Sequence, residues 1–252
     1  MNNSRRKFIK FTGLAALGWS LSPSLAGARE RHTKIPEGLT AERWAMAIDT
    51  QKLDQEVMNK CIEACHKLHN VPEIDSEQNI KWLWKEPYEV LFYDQIHTYQ
   101  VEDKKNLPLL TLCNHCDNPP CVRVCPTQAT FKREDGIVLM DFHRCIGCRF
   151  CMAGCPYGSR SFNYADPRLY LEDDEIDPDY PTREKGVVEK CEFCAHLLDQ
   201  GERPACVEAA PGVLFFGDLD DPDSEVRQVL RERYSLVRKP KLGTEPQVYY
   251  LI

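Results

Sequence analysis

Apolar and polar positions trade places along this chain in short runs, and few stretches hold one period for long. The longest regular pattern sets Val57, Met58, Cys61, Ile62, Cys65 and Leu68 at helical spacing, which predicts a helix over residues 55–69. Arg43–Asp49 (RWAMAID) predicts a first strand, and the aromatic-rich stretch Lys81–Asp94 a further one. Phe131–Met140 predicts a hairpin turning at Glu134-Asp135-Gly136. Asp221-Pro222 offers an N-cap and a first-turn proline for a short helix bearing Val226, Val229 and Leu230. Tyr249–Ile252 predicts an edge strand, with docking to a partner as the sharper alternative. Thr33–Leu39 reads as linker and Glu172–Asp179 as a solvated acidic loop. Past the N-terminus no apolar run approaches the roughly 18 to 20 residues of a spanning helix.

Composition narrows the classes. A chain of 252 residues with 42% apolar content can bury a core as one large domain or two small ones. Its formal net charge of −7 argues against a nucleic-acid partner. The N-terminus carries different information. Ser4-Arg5-Arg6-Lys7-Phe8-Ile9-Lys10 precedes an uncharged stretch, residues 11–28, that ends on Ala26-Gly27-Ala28. Charged, apolar and small-residue regions in that order predict a signal peptide over residues 1–28, and the paired arginines match a twin-arginine export signal. A retained signal could instead serve as an anchor. That route exports proteins already folded, through the twin-arginine translocase, so the expected destination is the periplasm.

Thirteen cysteines dominate the chemistry, and an odd count does not close into disulfides. They fall in repeated blocks. Cys113-x2-Cys116-x4-Cys121-x3-Cys125-Pro126 recurs 32 residues on as Cys145-x2-Cys148-x2-Cys151-x3-Cys155-Pro156. Cys191-x2-Cys194-x11-Cys206 is a third block, with Ala210-Pro211 after it, and Cys61-x3-Cys65 is a fragment of a fourth. Three closely spaced thiolates can turn to three corners of a [4Fe–4S] cube, while the cysteine before proline reaches the neighbouring cluster. Exchange of the last cysteines predicts one cluster on Cys113, Cys116, Cys121 and Cys155, and another on Cys145, Cys148, Cys151 and Cys125. Zinc would want paired C-x2-C units and would leave Cys121, Cys125, Cys151 and Cys155 idle.

The outer blocks are incomplete. The same exchange gives a third cluster on Cys191, Cys194, Cys206 and Cys65. Its partner site would need position 210, which is Ala210, and three cysteines of which Cys61 alone remains; Leu53 and Met58 lie near where the others would fall. One thiolate holds no cluster, so the expectation is three [4Fe–4S] clusters and one degenerate site. Cys61-x3-Cys65-His66 resembles a c-type haem attachment but is one residue too long, and haem would take Cys65 from the third cluster. His66 and His69 are expected on the helix surface or in the core. His115 and His196 are expected to hydrogen-bond near clusters rather than ligate them.

Residues 113–163 (CNHCDNPPCVRVCPTQATFKREDGIVLMDFHRCIGCRFCMAGCPYGSRSFN) resemble the ferredoxin-like electron-transfer subunits of bacterial membrane oxidoreductases. These include the small subunits of dimethyl sulfoxide, polysulfide and tetrathionate reductases and of formate-dependent nitrite reduction. KCEFCAHLLDQGERPACVEAAP and FGDLDDPDSEV extend the likeness over most of residues 43–230. A finer resemblance, to the periplasmic DsrO type of the Dsr membrane complex associated with sulfite reduction, rests on four stretches. They are ACHKLHNVP (64–72), KWLWKEP (81–87), DPDYPTREKGVVEKC (177–191) and LGTEPQVYYLI.

The resemblance implies an α+β fold of tandem two-cluster ferredoxin-like domains with interleaved motifs, loop-rich and built of short strands and helices. The implied division is a signal (1–28), a linker (29–42), an outer unit (43–110 and 164–235), an inner unit (111–163) and a tail (236–252). It further implies docking on a quinone-reactive transmembrane subunit at the inner membrane, with a multihaem c-type cytochrome or other redox subunit as the second partner. Members normally carry four clusters; this chain departs at Leu53, Met58 and Ala210. The departure suggests that the empty site lies at the end where a molybdenum subunit docks in the relatives. No nucleophile–base pair, GxGxxG or P-loop accompanies the cysteines, so the expected role is electron transfer rather than catalysis.

Overall fold

The computed structural model describes residues 37–97, 99, 105–172 and 176–252. The signal 1–28, most of the linker and residues 173–175 of the acidic loop lie outside them. Among the described residues no helix is long and apolar enough to cross a membrane.

Strand β1 (Trp44–Asp49) is buried along its whole length. Its alternation decides what lies on each side. Trp44, Met46 and Ile48 enter the main core, whereas the small Ala45 and Ala47 make room for a second layer with Val226 and Leu251. Helix α1 (Gln55–Leu68) starts at Asp54, whose carboxylate accepts the Val57 N–H at 2.8 Å. It buries Met58, Cys61 and Cys65 on one stripe.

Strand β2 (Leu83–Pro87) is shorter than the aromatic pattern predicts, because Pro87 has no N–H with which to continue the ladder. The chain turns instead into α2 (Tyr88–Leu91), which buries Leu91 and Phe92 completely. β3 (Pro108–Leu112) pairs antiparallel with β2, Leu83 opposite Leu112, and delivers the chain to Cys113. α3 (Pro120–Arg123) follows. The expected hairpin forms from β4 (Thr130–Lys132) and β5 (Val138–Met140), Thr130 opposite Met140. α4 (Phe150–Ala153), β6 (Ser161–Phe162), β7 (Val188–Glu189), α5 (Ala195–Leu198), α6 (Ala205–Glu208) and β8 (Leu214–Asp218) succeed one another between loops.

Helix α7 (Glu225–Glu232) starts three residues later than the sequence suggests. The Asp221 carboxylate accepts the nearby Asp223 N–H, which spends residues 221–224 on a turn, and Ser224 caps the helix by accepting from Arg227. β9 (Ser235–Leu236) and β10 (Val248–Leu251) complete a four-stranded sheet of order β8-β1-β10-β9. β10 is therefore interior and not an edge strand: it runs parallel to β1, Met46 beside Val248, and antiparallel to β9.

At the end of β1 the buried Asp49 carboxylate meets Arg233, with Nη2–Oδ1 at 3.1 Å. Burial acts to raise its pKa, but the Arg233 hydrogen bonds and charge, with Lys52, outweigh it and the net direction is down. The folded value thus lies below the unfolded one of about 3.9. The stabilisation is present above about pH 4 and is lost as pH falls through the folded pKa. Arg233→Met is expected to cost about 2 kcal/mol at pH 7, and much less at pH 2 to 3. Urea denaturation at the two pH values measures the difference.

Candidate metal centres

The cysteine loops share one local construction. The third residue of the first C-x2-C in each of the three blocks is left-handed: His115 (φ 40°), Gly147 (φ 68°) and Phe193 (φ 52°). This conformation turns successive thiols to one side instead of continuing a strand or helix. At Gly147 a side chain is also excluded, since a Cβ would stand 2.3 Å from the Gly186 carbonyl oxygen. A proline then starts the short helix that carries the next thiol, Pro119-Pro120-Cys121 in α3 and Pro204-Ala205-Cys206 in α6.

The central set, Cys113, Cys116, Cys121 and Cys155, walls one cavity together with Val138, Tyr157, Ser159 and Arg160. Burial pushes the Cys116 thiol up to about 12; Cys113, Cys121 and Cys155 add to that rise, and a Thr244 hydrogen bond opposes it. Residues 243–247 clamp the first loop of this set: Asp117 N–H donates to Glu245 O at 2.9 Å and Gln247 N–H to Asn114 O at 2.8 Å. The sequence gives no sign of this C-terminal contribution, since nothing local connects Thr244 to Cys116.

The outer set is as compact. Cys65, Cys191, Cys194 and Cys206 are all buried and close enough for their charges to interact. Burial raises each thiol, Cys194 to about 12. His69, at the C-cap of α1, lies with Nδ1 2.7 Å from Cys65 O and 3.8 Å from Cys65 Sγ. Its ring packs among Trp82, Tyr180 and His196, and burial holds its pKa down to about 3. His66 Nε2 meets Leu83 O at 3.1 Å, and a carbonyl can only accept, so the ring donates there. His115 Nδ1 accepts the Val138 N–H at 3.1 Å, which places the proton of the neutral ring on Nε2.

The remaining set is more open. Cys145 and Cys151 come together, and Cys148 is exposed. Cys125, assigned to this set by its spacing, is half-buried, its sulfur accepting the Thr130 N–H at 3.4 Å. Burial acts to raise that thiol, but backbone N–H groups and Thr127 hold it below its usual value. α3 and α4 approach closely at Gly154, where a Cβ would meet Val124 at 3.0 Å. The three sets adjoin one another: Cys151 feels the charge of Cys121, and Cys191 that of Cys113.

Where a further set would stand, the chain is built differently. Counted back from Cys65, the spacing of the Cys113–Cys125 block puts the first lost position at Leu53, and that of the Cys145–Cys155 block puts the lost ligand positions at Gln55, Met58 and Cys61. All three belong to the continuous helix α1. Val57 stands at the place of His115, Gly147 and Phe193 and is helical, as a β-branched residue that disfavours positive φ should be. Cys61 lies against Cys206, Sγ to O 3.5 Å, and Ala210 is buried in the apolar core with Leu53, Met58 and Val213.

The donor sets fit iron–sulfur clusters. Several thiols crowd each of two buried spaces, and two buried cations, Arg160 and Lys190, stand beside them. Among the described residues no three His, Cys, Asp or Glu side chains close tightly enough to hold a single metal ion; the thiols of the central set stand around a cavity.

A mixed fold of small sheets, with thiols in the ferredoxin spacing, defines an iron–sulfur protein. The 4Fe-4S dicluster domain model matches residues 107–168. The chain belongs to the iron–sulfur electron-transfer subunits of membrane oxidoreductases, as its full-length relatives show. It is 42% identical to the Hdr-like menaquinol oxidoreductase iron-sulfur subunit 1 of Archaeoglobus fulgidus, over 98% of this chain and 97% of the relative. It is 36% identical to a tetrathionate reductase subunit of Salmonella typhimurium, over 100% of this chain and 89% of that one. The menaquinone reductase iron-sulfur cluster-binding subunit of Nitratidesulfovibrio vulgaris is 37% identical, over 83% and 88% of the two chains. The chain is thus an electron-transfer subunit of an oxidoreductase complex and not its catalytic subunit.

Proposed function

We propose that this chain conducts electrons through three [4Fe–4S] clusters between a quinone-reactive membrane subunit and a second redox subunit. Each cluster, when bound, takes up and returns one electron. The ligand sets are Cys145, Cys148, Cys151 and Cys125; Cys113, Cys116, Cys121 and Cys155; and Cys191, Cys194, Cys206 and Cys65. In this reading residues 111–163 form the inner ferredoxin-like unit, flanked by an outer unit from 43–110 and 164–235. The observation that carries it is the adjacency of the three sets, Cys121 to Cys151 and Cys113 to Cys191.

The continuous helix through Met58 and Cys61 supports three clusters over four. The lost site would lie beyond Cys65 and Cys206, at the end of the series, so its absence shortens the path without interrupting it. The export signal supports a periplasmic location, with the protein held at the inner membrane through its partners and exported by the twin-arginine translocase. The finer likeness to the DsrO type favours a link to sulfite reduction and a multihaem c-type cytochrome as partner. A molybdenum oxidoreductase for tetrathionate or polysulfide is the alternative, favoured by the likeness to the tetrathionate reductase relative.

Iron and acid-labile sulfide analysis of anaerobically purified protein tests the count: about twelve irons per chain, three cubanes of four, are expected. About sixteen irons, or stoichiometric zinc, would overturn it. At the open end, Ile146 and Phe150 flank Cys148 and are 67% and 59% exposed. Exposed apolar side chains around a near-surface site suit docking. Ile146→Glu with Phe150→Glu is expected to weaken retention of one redox partner more than tenfold with iron content unchanged, as measured by co-purification.

A further inference from the structure

Two cations are buried at the junctions between the thiol sets. Arg160 is 5% exposed and Lys190 fully buried. Side chains of this kind are almost never fully buried unless paired. Yet among the described residues no carboxylate forms an ion pair with either. The Arg160 guanidinium donates through Nη1 to Thr130 Oγ1 at 3.1 Å, while its buried Nη2 finds no hydrogen-bond partner. It lines the cavity of the central set and lies against Cys121 and Cys151, at the junction with the open set. Lys190 Nζ donates to Val138 O and, at 2.8 Å, to Cys191 O. Its charge reaches Cys113 on one side and Cys191 on the other. Glu192, an acid that shares its field, accepts instead from the Met140 N–H at 2.9 Å and the Tyr180 hydroxyl at 3.3 Å.

A buried cation without a counter-charge is costly, and a thiolate-ligated cluster is net anionic. Burial alone would make the central site, like the Cys191–Cys194–Cys206 site, harder to reduce than the open one, because an added electron there has little solvent to stabilise it. Positive charge acts in the opposite direction. Resting on the three-cluster reading, we infer that Arg160 and Lys190 are the fixed counter-charges that keep the buried central site reducible. Arg160 is shared with the Cys145–Cys148–Cys151 site, and Lys190 with the Cys191–Cys194–Cys206 site. Both are positioning residues: neither ligates nor carries the electron.

The test is a potentiometric titration of the full, iron-loaded chain followed by electron paramagnetic resonance. Signals are assigned by their loss in Cys116→Ala, Cys148→Ala and Cys194→Ala. Arg160→Gln is expected to lower the electron affinity of the central and open sites about tenfold, ~59 mV for a one-electron couple, and to leave the third site unmoved. Lys190→Met should lower the central and third sites and spare the open one. Arg160→Lys and Lys190→Arg should stay within about threefold of the parent. Unchanged potentials, or an equal shift at all three sites, would overturn the inference. If the neutral variants lose the central iron and the charge-conserving ones keep it, the charge requirement stands. If both kinds lose it, the role is packing and the inference fails. No cubane signal in the unsubstituted protein would sink the underlying reading itself.

Discussion

Cys116→Ala is expected to remove about four of about twelve irons and to stop electron passage from one end of the chain to the other. Cys116 stands in the wall of the central cavity, with Cys113, Cys121 and Cys155. That set adjoins both others, so its loss separates them. The two flanking sets keep their own ligands and should retain their iron. Cys61→Ala is the matched control. Cys61 is also buried, with its thiol raised to about 11 by burial, but it is assigned to no cluster. Its iron content should stay at the parental level, with a small loss of packing. The measurements are iron per chain and the rate at which a donor on one side reduces an acceptor on the other. Loss of four irons from Cys61→Ala, or an unimpaired rate in Cys116→Ala, would refute the assignment.

Arg183→Met is expected to destabilise the protein by about 3–5 kcal/mol, the cost of leaving a buried charge without its partner. Arg183 and Glu189 are both fully buried and meet at 2.7 Å. The guanidinium also donates to His69 O and, at 2.8 Å, to Asn70 O, the carbonyls just past the C-terminus of α1. Glu189 further accepts from Trp82 Nε1 at 2.6 Å. Methionine leaves the charge of the carboxylate without its cation and takes the guanidinium donors from both carbonyls, although Trp82 and Asn163 still donate to Glu189. The melting temperature should fall by roughly 10 °C. Because α1 carries Cys65, iron should leave the Cys191–Cys194–Cys206 set first on warming. Arg183→Met with Glu189→Leu should recover part of the loss, since the isolated charge is gone. A melting temperature within about 2 °C of the parent would contradict the argument.

The cysteine sets are legible in the sequence because thiol spacing is a local constraint: Cys113, Cys116 and Cys121 share one loop and short helix. α1 is legible from its stripe and its Asp54 cap. Elements set by competition or distance are less so. Asp221 and Ser224 are both good caps, and the turn at Asp223 decides between them. The Tyr249–Ile252 pattern cannot reveal that β9 covers the side away from β1. Nothing local in the sequence marks Arg160 and Lys190, because their burial arises from β4, β5 and α3 packing against them.

The clamp of residues 243–247 on the Cys113–Cys116 loop has a consequence for biosynthesis. Asn118 bonds Gly243, 125 positions later in the chain, so the loop leaves the ribosome long before the segment that holds it shut. The central site can open to incoming iron during synthesis and close only once that segment has been made. A molecule with its central site closed is then one whose later part has already folded.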